Sequence, residues 1–283
     1  MTGAHTEADT YLTWLYAPGD RPEVVAKALR SGADVVLVDL EDAVAPERKA
    51  YALDATAELL SSVQPVPVHV RVNALTGPLA EREVRRLAPL PGLGALRLPK
   101  VNGPEDVTRV VAWAGERVPP LYPLLESALG VEQAFAVATA HPAVAGIALG
   151  EADLRADLGV SDATGLAWPR GRAVVAARAA GLAPPPQSVY PDVRDTEGLA
   201  RSCAQGRALG FLGRAAIHPR QLPVIEEAYL PTEAEVEQAA ELVKAAVTDA
   251  GALALPDGRF VDAAVVAGAR RTLALAERAR RHG

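Results

Sequence analysis

Val35-Val36-Leu37-Val38-Asp39-Leu40-Glu41-Asp42 decides the fold of this 283-residue chain. Four apolar residues in succession leave no polar alternate face, so the run predicts a strand covered on both sides, as parallel strands must be. Carboxylates follow at once, and Pro46 is placed to open a helix. Working outward, β-rich runs recur at 12–16, 35–40, 68–72, 95–98, 121–125, 144–149, 187–190 and 213–217. Helical periodicity starting near Pro22, Pro46, Leu79, Pro104, Leu129, Pro169, Asp195 and Pro219 separates them, so the alternation repeats about every thirty residues. Eight βα units close into a (β/α)8 TIM barrel more naturally than they spread into an open sheet. The doubly wound rival lacks its Gly-x-Gly-x-x-Gly after the first strand, and there is no P-loop.

Beyond the eighth unit the chain continues through Pro231 into an Ala- and Glu-rich helix from Thr232 to about residue 249, a glycine-containing turn, and a last helix from about residue 262 to 280. Thr232 and Glu235 have the spacing of a capping box. The expected division is a barrel over 1–230 and a C-terminal helical extension over 231–283, packing either on its own barrel or on a neighbouring subunit.

Composition narrows the class. Apolar residues make up 49% and charged residues 23%, enough to bury a large core. The net charge of -6 argues against nucleic acid as a partner, because neutralising phosphates needs a basic face. A single cysteine, Cys203, excludes an intrachain disulfide or Cys-based zinc site and fits a cytoplasmic setting. Residues 1–10 lack a basic and apolar leader pattern, and no apolar run reaches membrane-spanning length, so secretion and a membrane location are not expected.

Ionisable and polar residues follow nearly every expected strand, at the barrel end where active sites are built. In order they are Asp39, Glu41 and Asp42; Arg71 and Asn73; Lys100; Glu126; Glu151 and Asp153; Asp192; His218. Glu126 and Asp153 end consecutive strands, and two close carboxylates call for a cation, the alternative being that they share a proton or pair with Arg71 and Lys100. Oxygen donors without cysteine favour Mg²⁺ over zinc. Alternation along Val68-His69-Val70-Arg71-Val72-Asn73 sends Arg71 into the barrel mouth. There its planar fork would bind a carboxylate or enolate oxygen, or would neutralise Glu41 or Asp42. Lys100 has a Schiff-base alternative. His218 reads first as a capping residue and Cys203 as packing. Arg21, before the first helix, is a weak candidate for holding phosphate.

With these residues placed, the sequence resembles the citrate lyase β-subunit group of the HpcH/HpaI aldolase/citrate lyase superfamily. The resemblance is carried by Tyr16-Ala17-Pro18-Gly19-Asp20-Arg21-Pro22-Glu23, Asp39-Leu40-Glu41-Asp42-Ala43-Val44, Val70-Arg71-Val72-Asn73 and Leu98-Pro99-Lys100-Val101. Leu124-Leu125-Glu126-Ser127, Gly150-Glu151-Ala152-Asp153-Leu154 and Ala216-Ile217-His218-Pro219 complete it.

It implies Mg²⁺ on Glu126 and Asp153, a catalytic and substrate-binding Arg71, and a keto acid carboxylate seated around Gly150, Ala152 and Asp153. It also implies chemistry on a thioester, with Arg21 and Lys27 as contacts for coenzyme A, and a carboxylate near the C-terminus, Asp262, as acid or base. Two departures stand out: Ala264 replaces a proline usual two places after that aspartate, and Glu151-Ala152 reverses the usual Ala-Glu order.

The expected activity is a Mg²⁺-dependent carbon–carbon lyase. It would cleave or form a citryl, malyl or citramalyl thioester, giving an acetyl thioester and a 2-keto acid such as oxaloacetate. The acyl group would ride on coenzyme A or on an acyl carrier. The protein would be a homo-oligomer, a trimer by resemblance, with citrate lyase α and acyl-carrier subunits as further expected partners. A thioester-independent aldolase of 4-hydroxy-2-keto acids and a non-catalytic dicarboxylate-binding barrel remain alternatives.

Overall fold

The computed structural model describes residues 11–248, 253–254 and 260–282. The chain divides into two compact units, one of residues 11–226 and one that begins at Glu227.

The first unit is built on a seven-stranded parallel sheet in the order β6-β5-β4-β3-β2-β1-β7. Its strands are β1 (Thr13–Pro18), β2 (Val35–Asp39), β3 (Val68–Arg71), β4 (Leu93–Leu98), β5 (Leu121–Leu125), β6 (Ala148–Leu149) and β7 (Arg214–Ala216). Neighbours in sequence are neighbours in space except that β7 returns beside β1, so the sheet curls in the manner of a barrel. Val35 to Val38 are fully buried, as the unbroken apolar run requires. Each such side chain contributes about 1.5–3 kcal/mol relative to exposure.

The connecting helices are α1 (Pro22–Ala28), α2 (Lys49–Leu59), α3 (Ala80–Leu87), α4 (Pro104–Ala114), α5 (Ala128–Glu132), α6 (Ala134–Ala138), α7 (Glu151–Leu158), α8 (Ala167–Ala179), α9 (Thr196–Ala208) and α10 (Leu222–Tyr229). Proline opens α1 and α4 and the short 3-10 turns before α2 and α10, where its missing N–H has no acceptor to lose.

Two expected strands are shorter than the sequence suggests. Residues 187–190 reduce to one bridge, Gln187 to Arg214. Pro184, Pro185 and Pro186 lack an N–H, so the ladder has no donors upstream of Gln187 either. The expected 144–149 strand is split into a bridge from Val144 to Leu121 and the pair Ala148–Leu149. Gly146 lies between, and a Cβ there would come 2.7 Å from the Tyr122 ring. Helix α7 was not foreseen; the sixth connection was expected to start near Pro169, which instead lies in α8.

The second unit holds α11 (Glu233–Thr248), a two-residue antiparallel pair β8 (Leu253–Ala254) with β9 (Phe260–Val261), and α12 (Ala263–His282). The capping box is formed: the Thr232 N–H donates to Glu235 Oε2 at 2.8 Å and the Glu235 N–H to Thr232 Oγ1 at 3.3 Å. Among the described residues no helix is long and apolar enough to cross a membrane.

Candidate active site

The carbonyl ends of β2 to β6 gather the charges. Asp39 ends β2 and Arg71 ends β3, paired in register. Arg71 donates from Nε and Nη2 to the two Asp39 oxygens, both at 2.7 Å. Its Nη1 lies 3.2 Å from Glu41 Oε2 and from Asp42 Oδ2. Burial works to lower the Arg71 pKa, but the Asp39 hydrogen bonds, Tyr16 and Glu41 outweigh it, and the guanidinium is held firmly charged. The fork is thus committed to Asp39 on one edge and turns Nη1 to the acidic loop after β2. Asp39 also accepts from the N–H groups of Glu41 and Ala43, so the loop is cast around its carboxylate.

Lys100 follows β4, and its Nζ donates to Glu41 Oε1 at 2.8 Å, which occupies the amine in an ion pair. Burial raises the Glu41 pKa, and the Lys100 and Arg71 contacts partly offset it. Glu41 Oε2 is buried and, despite its 3.2 Å approach to Arg71, has no hydrogen bond of good geometry. Among the described residues Lys100 alone, apart from glycines, has positive φ, at 54°. That backbone turn costs of order 1 kcal/mol or more. It aims the Lys100 N–H at Glu126 Oε1, 2.6 Å away.

Glu126 directly follows β5, and Gly150 directly follows the neighbouring β6. It is 6% exposed, and burial, Glu41 and Asp153 together push its pKa up to about 7, against the lowering effects of the Lys100 N–H and Arg71. A Cβ on Gly150 would sit 2.1 Å from Glu126 Oε2, so glycine is required for the carboxylate to lie over the start of α7. Asp153 stands in the first turn of that helix, exposed and close enough to be felt by Glu126.

Glu151 is withdrawn from this group by Arg170 of α8, which holds both of its oxygens at 2.7 Å. The reversal of Glu151 and Ala152 therefore costs the site no free carboxylate. The Glu151 N–H donates to Ser188 Oγ at 3.3 Å. The N–H groups of Ala152 and Asp153 fall in the first helical turn, where no intrahelical acceptor exists.

The donor set fits Mg²⁺. A buried carboxylate with a raised pKa beside a second, exposed carboxylate is a site that gains from a cation, and both donors are oxygen. Among the described residues no group of three or more His, Cys, Asp or Glu side chains forms a fuller metal cage. Two protein carboxylates suit an ion that keeps its remaining positions for water and substrate.

Other expected residues fall elsewhere. Asn73 braces the scaffold, its side-chain amide donating to Glu83 Oε1 at 2.5 Å and to the Leu40 carbonyl at 2.9 Å. His218 Nδ1 accepts from the Arg220 N–H at 3.1 Å and caps the turn before α10. Asp192 accepts from the Arg194 N–H. Cys203 is buried, with Arg214 Nη1 3.3 Å from its sulfur. Arg21 precedes α1 and Lys27 lies in its last turn, and both are exposed. Asp262 belongs to the second unit, where its Oδ1 accepts from the Val265 N–H at 2.9 Å at the head of α12. The rest of its motif, 257–259, lies outside the described residues.

Sequence reading missed Lys49, whose Nζ holds the Leu40 and Glu41 carbonyls at 2.8 and 2.5 Å. It also missed the backbone role of Lys100 and the Arg170 partner of Glu151. The four-lysine count was the signal available for the first two.

The carbonyl ends of the curled parallel sheet carry carboxylates, a charged arginine and a lysine, and relatives such as an L-malyl-CoA/beta-methylmalyl-CoA lyase of Cereibacter sphaeroides, 31% identical over 82% of each chain, place the chain among carbon–carbon lyases. The chain belongs to the HpcH/HpaI aldolase/citrate lyase family, whose profile matches residues 12–219. It is 34% identical over 280 residues to a (3S)-malyl-CoA thioesterase of Cereibacter sphaeroides, covering 96% of each chain. It is 32% identical to a citrate lyase subunit beta of Leuconostoc mesenteroides, covering 93% of this chain and 92% of that one. The crystal structure of CitE from Mycobacterium tuberculosis in complex with magnesium, acetoacetate and coenzyme A superposes with a TM-score of 0.81 at 32% identity. That match covers 96% of this chain and all of the other.

Proposed function

We propose that the protein is a Mg²⁺-dependent lyase of a short 3-hydroxyacyl thioester of the citryl, malyl or citramalyl type, releasing an acetyl thioester and a 2-keto acid or joining them in reverse. The observation that carries the reading is the Glu126 carboxylate, held by the Lys100 N–H beside Gly150 and raised to about 7 by burial, Glu41 and Asp153. Glu126 and Asp153 would hold the metal, which when bound supplies Lewis-acid polarisation of the substrate's oxygens. The Ala152 and Asp153 N–H groups, with Gly150 leaving space, would bind the keto acid carboxylate. Asp39 holds Nε and Nη2 of Arg71, so a substrate oxygen would meet this side chain at Nη1, sharing it with Glu41 and Asp42, each 3.2 Å away. As the substrate hydroxyl gives up its proton and becomes the keto group, the carbon–carbon bond breaks and its electrons pass to the thioester enolate, whose terminal carbon takes a proton, so that one proton is lost and one gained. Asp262 is our candidate for supplying it. Arg21 and Lys27 would contact the phosphates of coenzyme A.

The same reading takes the sheet as a (β/α)8 barrel with 187–190 in the eighth position, supported by the Gln187 bridge and the Ser188 contact to α7. It takes 231–283 as a C-terminal helical extension, the protein as a cytoplasmic homo-oligomer of trimer type, and α and acyl-carrier subunits as candidate partners. The CitE structure with coenzyme A and the citrate lyase relative support the thioester and partner expectations.

A second reading, hydrolysis of the thioester itself, is favoured by the malyl-CoA thioesterase relative. Product analysis separates the two. Incubated with Mg²⁺ and malyl-, citramalyl- or citryl-CoA, a lyase releases a 2-keto acid and acetyl-CoA, whereas a thioesterase releases the hydroxy acid and free coenzyme A. Absence of any keto acid across the panel would overturn the lyase reading.

A further inference from the structure

Inside the curl of the sheet, in register with Arg71, lies a second arginine that the proposed chemistry does not use. Register pairs Arg97 of β4 with Arg71 on one side and Tyr122 on the other, so all three point to the same face. Arg97 is 2% exposed, and its guanidinium lies over the Tyr122 ring at 4.7 Å and the Trp14 ring at 5.7 Å. His69, packed 5.0 Å from Tyr122, closes the group.

Four buried nitrogens here have no hydrogen-bond partner: Arg97 Nε and Nη2, Trp14 Nε1 and His69 Nδ1. The acidic groups acting on Arg97 are the Tyr16 and Tyr122 phenols rather than any carboxylate. Burial, then the nearby Arg97 charge, keeps His69 neutral.

The unused edge of Arg97 is informative. Nε and Nη2 form the side-on fork that Arg71 uses on Asp39 and Arg170 uses on Glu151. In Arg97 the same fork is complete, buried and without its oxyanion. Arginine does not lose its proton in proteins, and a buried unpaired charge costs several kcal/mol. Water is a poor remedy. Three of the four nitrogens are N–H donors, so a water would satisfy them while leaving its own hydrogens to place and the charge uncompensated. An anion accepts from all three and neutralises the guanidinium.

We infer that the Arg97 fork, with Trp14 Nε1, is a binding site for one small monovalent anion, a halide or a carboxylate group, in the interior of the sheet. The site stands whether or not the chain is a lyase. Its occupant is either a free ion or the carboxylate of a larger molecule entering from the carbonyl end.

Crystals of the full chain grown in sodium bromide decide the matter. Anomalous density within hydrogen-bonding distance of Arg97 Nε and Nη2 is expected; a fork that faces only water, or nothing, overturns the inference. Soaks of those crystals in formate and in oxaloacetate identify the source. Displacement of bromide by formate alone marks a free small ion, and displacement by oxaloacetate marks a carboxylate of the larger molecule.

In solution the wild type should melt about 2–4 °C higher in chloride than in a bulky sulfonate, morpholinoethanesulfonate, of equal ionic strength, as saturating a native-state site requires. Arg97→Met should abolish that difference and be at least as stable as wild type in the sulfonate. Equal melting of the wild type in both salts would count against the site independently of how the variant folds.

Discussion

Replacing Glu126 by glutamine in metal-free protein should stabilise it at pH 8 and leave it nearly unchanged at pH 5. Burial, Glu41 and Asp153 raise the folded pKa of Glu126 from 4.5 to about 7. A carboxyl raised in the folded state contributes its stability below the unfolded value and loses it as pH rises through the folded value. The window is therefore from about pH 4.5 to about 7, and at pH 8 the charged carboxylate costs the fold at most about 3 kcal/mol. Glutamine removes the charge while its amide oxygen can still accept from the Lys100 N–H, now 2.6 Å from Oε1. Urea unfolding in EDTA at the two pH values reads the difference directly. Saturating Mg²⁺ should reverse the order at pH 8, because the metal stabilises only the chain that binds it. A variant no more stable than wild type at pH 8, or equally stabilised at both pH values, would refute the assignment of strain to this carboxylate.

Three further outcomes follow from named contacts. Gly150→Ala places a Cβ 2.1 Å from Glu126 Oε2, so divalent-ion affinity measured calorimetrically should fall at least tenfold while the circular dichroism spectrum is retained. Arg71→Met leaves Asp39, 1% exposed, without its bidentate partner, and should lower unfolding free energy by about 3–5 kcal/mol as well as abolishing turnover. Thr232→Ala removes the capping box before α11 and should cost about 1 kcal/mol in urea unfolding without changing Mg²⁺ affinity.

Much of the scaffold was legible because parallel strands buried on both faces must be apolar throughout, and Val35 to Val38 show that without ambiguity. The 187–190 segment was not, since its composition says nothing of how far it runs alongside a partner strand, and only Gln187 bridges to Arg214. Helix α7 was hidden because it begins one residue after β6, with only Gly150 as punctuation.

The acidic rim was legible as a list of residues but not as a set of bonds. That Asp39 would occupy the Arg71 fork depends on the β2–β3 register, which alternation within one strand does not supply. Likewise Arg170 lies nineteen positions from Glu151, on a different helix. Arg97 sits within Leu96-Arg97-Leu98, where a short strand gives no hint that an arginine faces inward rather than toward the helices.

The central claim is that Glu126 and Asp153 together hold the divalent ion that the keto acid also grips. Electron paramagnetic resonance of Mn²⁺ titrated into wild type, Glu126→Ala and Asp153→Ala, with and without oxaloacetate, tests it most directly. The account predicts one site per chain in the wild type, tightened by oxaloacetate, and loss of that site in each variant. Unchanged Mn²⁺ binding in either variant, or a wild-type signal indifferent to oxaloacetate, would contradict it.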